Sequence, residues 1–242
     1  MLLLLCLGFA AMAPASTVFN SPYDGQNPGN ANDQDGVIGL NGQYDIQSVA
    51  FTNLSSSNFT VQIDFNYDFG DTTLSPFKVS GITLSVGDLL FNEGGQMWGV
   101  ALDSHTGFNQ GDLYSVTDFL TAKTVLGNPQ GASYRPNNDV WMDNNGGQSI
   151  VGAGTSTTKS IGGDEVQTTL SFTPSAGLIA ALNSGNLDFQ FSAATCANDY
   201  ISGNVTGNIT STVPEPAGFV LLGTGLIGLS LIPRLRRRNS SK

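Results

Sequence analysis

The only histidine, His105, stands in the run Asp103-Ser104-His105-Thr106. Serine, histidine and aspartate are the side chains of a nucleophile, its base and the group that orients the base. Neighbouring positions on a strand point to opposite faces, so Asp103, Ser104 and His105 do not converge as a triad in extended chain. No Gly-x-Ser-x-Gly elbow occurs anywhere in the sequence. A lone histidine also cannot build a histidine-rich zinc site. The expected role of His105 is structural, as a hydrogen-bonding side chain.

Carboxylates are the other plentiful reactive group. Asn32-Asp33-Gln34-Asp35-Gly36 places alternate aspartates before a glycine, as a calcium loop does, with Asp45 as a third candidate oxygen ligand. An EF-hand is excluded, because Ala31 occupies its first acidic position and Gly42 its twelfth. The competing reading is a solvated turn rich in Asn and Asp. A glycosidase would need two carboxyl groups about 5 Å or about 6.5–9.5 Å apart in a cleft, a separation that sequence does not contain. Trp98, Trp141 and Tyr134 are candidates for a sugar-stacking platform, against the commoner use of aromatics as core. Of the two cysteines, Cys6 lies in an N-terminal apolar run, and Cys196 is expected to be a small buried hydrophobe.

Charge narrows the classes of partner. The 242 residues carry 19 acidic and 9 basic side chains. Five of the cations (Arg234, Arg236, Arg237, Arg238, Lys242) crowd the last nine residues, leaving Lys78, Lys123, Arg135 and Lys159 upstream. Setting Glu215 aside with the tail, the body carries 4 − 18 = −14. Such a surface repels nucleic-acid phosphates and anionic headgroups, which excludes DNA, RNA and membrane-surface binding for the body.

Both ends read as addresses. Leu2 to Ala13 is apolar and too short to span a bilayer, and Ala13-Pro14-Ala15 supplies a small-x-small cleavage pattern. Residues 1–15 are therefore expected to be a signal peptide cut by signal peptidase between Ala15 and Ser16. At the other end, 213–242 begins Val213-Pro214-Glu215-Pro216, continues with an apolar stretch over 217–232, and finishes on Arg234, Arg236, Arg237 and Arg238. Sixteen residues make a helix of about 24 Å at about 1.5 Å each. That is short of the hydrocarbon thickness, but flanking arginines snorkel to make up part of the difference. The positive-inside rule holds those arginines in the cytoplasm and leaves the body across the membrane. Gly223, Gly225 and Gly228 match the dinucleotide fingerprint in letters only, since no strand precedes them.

The order Pro214-Glu215-Pro216, apolar helix with Leu221 to Leu229, arginine cluster resembles the PEP-CTERM sorting signal. The stretch Ala193-Ala194-Thr195-Cys196-Ala197-Asn198-Asp199 is similar to one that precedes that signal in many such proteins. The resemblance implies a substrate of the membrane protease-transpeptidase exosortase in a Gram-negative bacterium. It further implies a precursor held in the inner membrane and a mature protein on the cell surface or in the exopolysaccharide matrix.

What must position any site is the body, 16–212. Phe59, Val61, Ile63 and Phe65 alternate with Thr60, Gln62, Asp64 and Asn66, the period of a strand with one wet face. Ile46 to Phe51, Ile82 to Phe91, Met97 to Leu102, Leu113 to Thr117, Val140 to Met142, Val166 to Phe172, Leu187 to Ser192 and Tyr200 to Thr210 are further short runs between turn residues. The expectation is an all-β, single-domain β-sandwich of jelly-roll type with one short helix over Ser175 to Leu182. Asp118 to Val125 allows a helical turn or two, and 137–164, rich in glycine and polar residues, reads as long loops around the Val140 strand. The resemblance implies a non-enzymatic matrix, adhesive or carbohydrate-binding protein. A surface polysaccharide hydrolase with a carboxylate pair is the alternative.

Overall fold

The computed structural model describes residues 17–20, 44–68, 70–79, 81–127, 134–197, 199–207 and 209. The predicted signal peptide and its cleavage site, Asp33, Asp35, and the whole tail from 210 to 242 lie outside them. Among the described residues no helix is long and apolar enough to cross a membrane.

The chain is all-β. In order it forms β1 (Thr17–Asn20), β2 (Ile46–Leu54), β3 (Phe59–Asn66), β4 (Phe77–Val79), β5 (Ile82–Leu84), β6 (Leu89–Glu93), β7 (Gln96–Val100), β8 (Leu113–Val116) and β9 (Phe119–Thr121). There follow α1 (Ala122–Leu126), β10 (Asp139–Met142), β11 (Ser149–Gly152), β12 (Gly154–Gly162), β13 (Glu165–Phe172), α2 (Ala176–Ser184), β14 (Leu187–Ser192) and β15 (Tyr200–Val205). One antiparallel sheet runs β1-β2-β3-β13-β12 and a second runs β11-β8-β7-β6-β14-β15; β9 with β10 and β4 with β5 make two ribbons.

The two large sheets share one core, and phenylalanines carry it. Phe51 on β2 meets Phe189 on β14 at 5.2 Å between ring centres and Phe91 on β6 at 6.3 Å. Phe65 on β3 meets Phe191 on β14 at 5.3 Å, and Phe91 meets Phe172 on β13 at 6.4 Å. Each such pair adds about 0.5–1.5 kcal/mol to the gain from burial. The alternation read in β3 places Phe59, Val61, Ile63 and Phe65 inward. Trp98 on β7 is 4% exposed and belongs to this core, so it forms no surface platform.

Three expectations change. Ile82 to Phe91 is two strands, not one, because Ser85 to Asp88 leaves the ladder. Among the described residues there are two helices: β9 occupies Phe119 to Thr121, and α1 follows it. Its Thr121 cap accepts from the Thr124 N–H, as the hydroxyl of Ser175 accepts from Leu178 to start α2. The third is the largest, since 149–162 is strand rather than loop. β12 pairs with β13 from Gly154↔Phe172 to Gly162↔Glu165. Its residues are Gly, Thr, Ser and Lys, apart from Ile161, because it is an edge strand with little apolar to bury.

Only Ala153 separates β11 in one sheet from β12 in the other. The crossing is tight. A Cβ at Gly152 would stand 1.9 Å from the Thr173 carbonyl oxygen, and one at Gly154 would stand 2.2 Å from that of Gly111. The Gly154 N–H donates to Asp112 Oδ1 at 3.0 Å, which fixes the corner. Since the obstructing atoms are backbone, Gly154→Ala should lower unfolding stability by about 1–3 kcal/mol. Ala153→Ser at the exposed position between should leave the urea midpoint nearly unchanged. Equal midpoints for both variants would remove the steric account.

Candidate functional site

His105 lies in the loop after β7, and its imidazole bridges that loop to the start of β6. Nε2 sits 2.9 and 3.1 Å from the two carboxylate oxygens of Asp88, and Nδ1 sits 2.9 Å from the Thr106 hydroxyl. With Asp88 ionised, the carboxylate only accepts, so Nε2 carries hydrogen. Asp88 Oδ2 also accepts from the Met142 N–H at 2.9 Å. Burial pushes the Asp88 carboxyl up, against the opposing pull of His105 and of that backbone bond. The indole of Trp141 stacks on the imidazole at 4.3 Å and 11°, and its Nε1 donates to the Val86 carbonyl at 2.9 Å. The partners of His105 are thus Asp88 and Thr106, not Asp103 and Ser104. Ser104 accepts from the Gln110 N–H instead. The order hydroxyl, imidazole, carboxylate is that of a proton relay. Its bonds join the His105 loop, the start of β6 and β10, the contacts of a structural pin.

A second cluster is fully internal. The turn from Ala193 to Asp199 between β14 and β15 is buried at each described residue. Asp199 Oδ2 accepts from the Ile46 N–H at 2.6 Å, where β2 begins. Thr195 exchanges two bonds with Ser85, its N–H donating to that carbonyl and its hydroxyl accepting that N–H. Arg135 donates through its backbone to Cys196 and through Nη1 to the Ala197 carbonyl, with its guanidinium 5.3 Å from the Tyr200 ring centre. Cys196 is buried and packed in the main core, the role expected of it.

Asp45, a candidate calcium ligand, lies beside this cluster. It is buried, and its Oδ2 accepts from Gln47 Nε2. Asp199 feels both the Asp45 carboxylate and the Arg135 guanidinium. Among the described residues no three His, Cys, Asp or Glu side chains gather as a metal site. Asp33 and Asp35, the other two candidate calcium ligands, lie outside the described residues.

The open site is elsewhere. A cleft of about 520 Å³ lies on the outer face of the six-stranded sheet. Its floor presents Leu90 and Asn92 from β6, Met97 from β7, Asp188 and Gln190 from β14, and Ser202 and Asn204 from β15. Period two explains this face: Phe189 and Phe191 point into the core, so Asp188 and Gln190 point away. The wall is the β9–β10 ribbon, contributing Asp118, Phe119 and Asp139. Gln190 ties floor to wall, its Nε2 donating to the Asp139 carbonyl at 2.7 Å. Asn204 Nδ2 donates to Asp188 Oδ1 at 3.1 Å. Burial, and then the negative charge of Asp118, hold the Asp139 carboxyl above the usual carboxylate range. The candidate aromatic platform is not assembled here, since neither Trp141 nor Tyr134 lines the cleft.

Asp199 supplies a pH test. Burial, opposed by the Ile46 hydrogen bond and reinforced by Asp45, pushes its carboxyl from 3.8 up to about 7. A raised carboxyl keeps its proton in the folded state after the unfolded chain has lost it. Stability is therefore greatest below about pH 4 with respect to this group and falls as pH rises to about 7. Asp199→Asn mimics the protonated form, so its urea midpoint should stay flatter across that window and exceed that of the parent at pH 8. A parent midpoint that rises with pH relative to Asp199→Asn would contradict the assignment.

No family of proteins, no curated protein and no solved structure matches this chain.

Proposed function

We propose that the chain is an exported, non-enzymatic protein, sorted by exosortase to the cell surface or exopolysaccharide matrix, where its β-sandwich serves a structural, adhesive or carbohydrate-binding role. The observation that carries this reading is the order of the tail: Pro214-Glu215-Pro216, the apolar 217–232 stretch, then Arg234, Arg236, Arg237 and Arg238. Signal peptidase acts at Ala15-Ser16, the apolar helix and its arginines hold the precursor in the inner membrane, and exosortase acts near the Pro-Glu-Pro triplet. The body, at −14, faces outward; its charge disfavours adsorption to anionic lipid. In support, one compact unit of the chain ends at Ile209, shortly before the triplet.

Replacing Pro214-Glu215-Pro216 by three alanines should leave the precursor in the inner membrane, detected by fractionation and immunoblotting. Its normal appearance outside the cell would refute the sorting claim.

A second reading is favoured by the cleft. Asp118 and Asp139 line it together, and burial raises the Asp139 carboxyl above the usual carboxylate range, the direction a general acid requires. On that reading the protein is a surface polysaccharide hydrolase. It requires release of new reducing ends from a polysaccharide, abolished by Asp139→Asn; no release from any polysaccharide bound by the protein would remove it.

A further inference from the structure

The cleft has a chemical character beyond being polar. Three carboxylates, Asp118, Asp139 and Asp188, line it, and no Lys, Arg or His does. They are not gathered tightly enough to ligate one metal ion. Between them stand the amides of Asn92, Gln190 and Asn204 and the hydroxyl of Ser202. Met97 and Phe119, both half-buried, supply an apolar surface in the same cleft.

These parts set requirements for an occupant. Its volume must fall in the range of small-ligand sites, about 300–1,000 Å³, which covers a short run of sugar rings. Hydroxyl groups would satisfy the amides, and the C–H faces of a ring would lie against Met97 and Phe119. Uronic acids are disfavoured, because three carboxylates and a body at −14 repel them. A neutral sugar leaves the carboxylates without a counter-charge. An ammonium group supplies one, with three donors, and its hydrogen bonds to carboxylate are about twice as strong as those between neutral groups.

We infer that this cleft binds a polysaccharide bearing free amino groups, such as a de-N-acetylated hexosamine polymer, with Asp139 and Asp188 receiving ammonium groups from the wall and the floor. The inference rests on the carbohydrate-binding form of the proposed function and names its ligand class. Sorting by the tail is a separate matter.

The test is isothermal titration of the purified full chain with three probes: glucosamine oligomers of about five units, the same oligomers fully N-acetylated, and galacturonic acid oligomers. Glucosamine oligomers should bind, with affinity falling as salt rises. The acetylated oligomers should bind at least about tenfold more weakly, and the uronic acid oligomers should give no heat. Asp139→Asn with Asp188→Asn should weaken glucosamine-oligomer binding by about tenfold or more while leaving the melting temperature near that of the parent, because neither carboxylate is buried in the core. Equal binding of free and acetylated oligomers would overturn the ammonium assignment while leaving carbohydrate binding standing. No binding of any probe would overturn both. Undiminished binding by the double variant would overturn the location. Shortening of the oligomers during titration would favour the hydrolase reading over the binding one.

Discussion

One buried carboxylate holds the ends of the construction together. Asp199, at the start of β15 in the six-stranded sheet, accepts the N–H that opens β2 in the five-stranded sheet. Its turn grips Ser85 on one side and Arg135 on the other. Segments separated by more than a hundred residues are thus closed by hydrogen bonds in a dry interior, where an unmade bond is costly. The remaining stabilisation is phenylalanine packing between sheets, which is strong but nondirectional. The turn supplies the register that packing alone lacks. The turn that carries Thr195, Cys196 and Asp199 therefore has a structural role that its letters do not display.

His105 plays a comparable part a few residues along the same segment, at Asp88. Its imidazole links the β7 loop to Asp88, and Trp141 covers it from the β10 side. Asp88 in turn accepts from β10 at Met142. Because β10 is also the wall of the cleft, the aspartate–histidine pair fixes the wall from behind while Gln190 fixes it from the floor. The polar network and the candidate site are thus one arrangement, with interior bonds that define an exterior surface.

Much of this was legible in the residues. The alternation of Phe59 to Phe65 gave a strand with the right face inward, Leu187 to Ser192 was read as a strand, and the helix expected over Ser175 to Leu182 is α2 within two residues at its end. What escaped has a common cause. β12 lacks an apolar period because an edge strand buries little, and its threonines and serines read as loop. The partner of His105 is 17 positions away, beyond any local pattern. The cleft draws on β6, β7, β9, β10, β14 and β15, so no spacing encodes it. The sequence does carry a local trace of the floor, since Asp188 and Gln190 alternate with Leu187, Phe189 and Phe191.

The corner at Gly152-Ala153-Gly154 bears on how the outer face behaves. With one residue joining β11 to β12, the two sheets cannot slide past each other without breaking ladders on both sides. The sheet beneath the cleft is a fixed platform, and an occupant is met by rotating side chains rather than by closure. Under the proposed polymer binding, lasting retention would come from many copies engaging one strand of polymer rather than from a single domain.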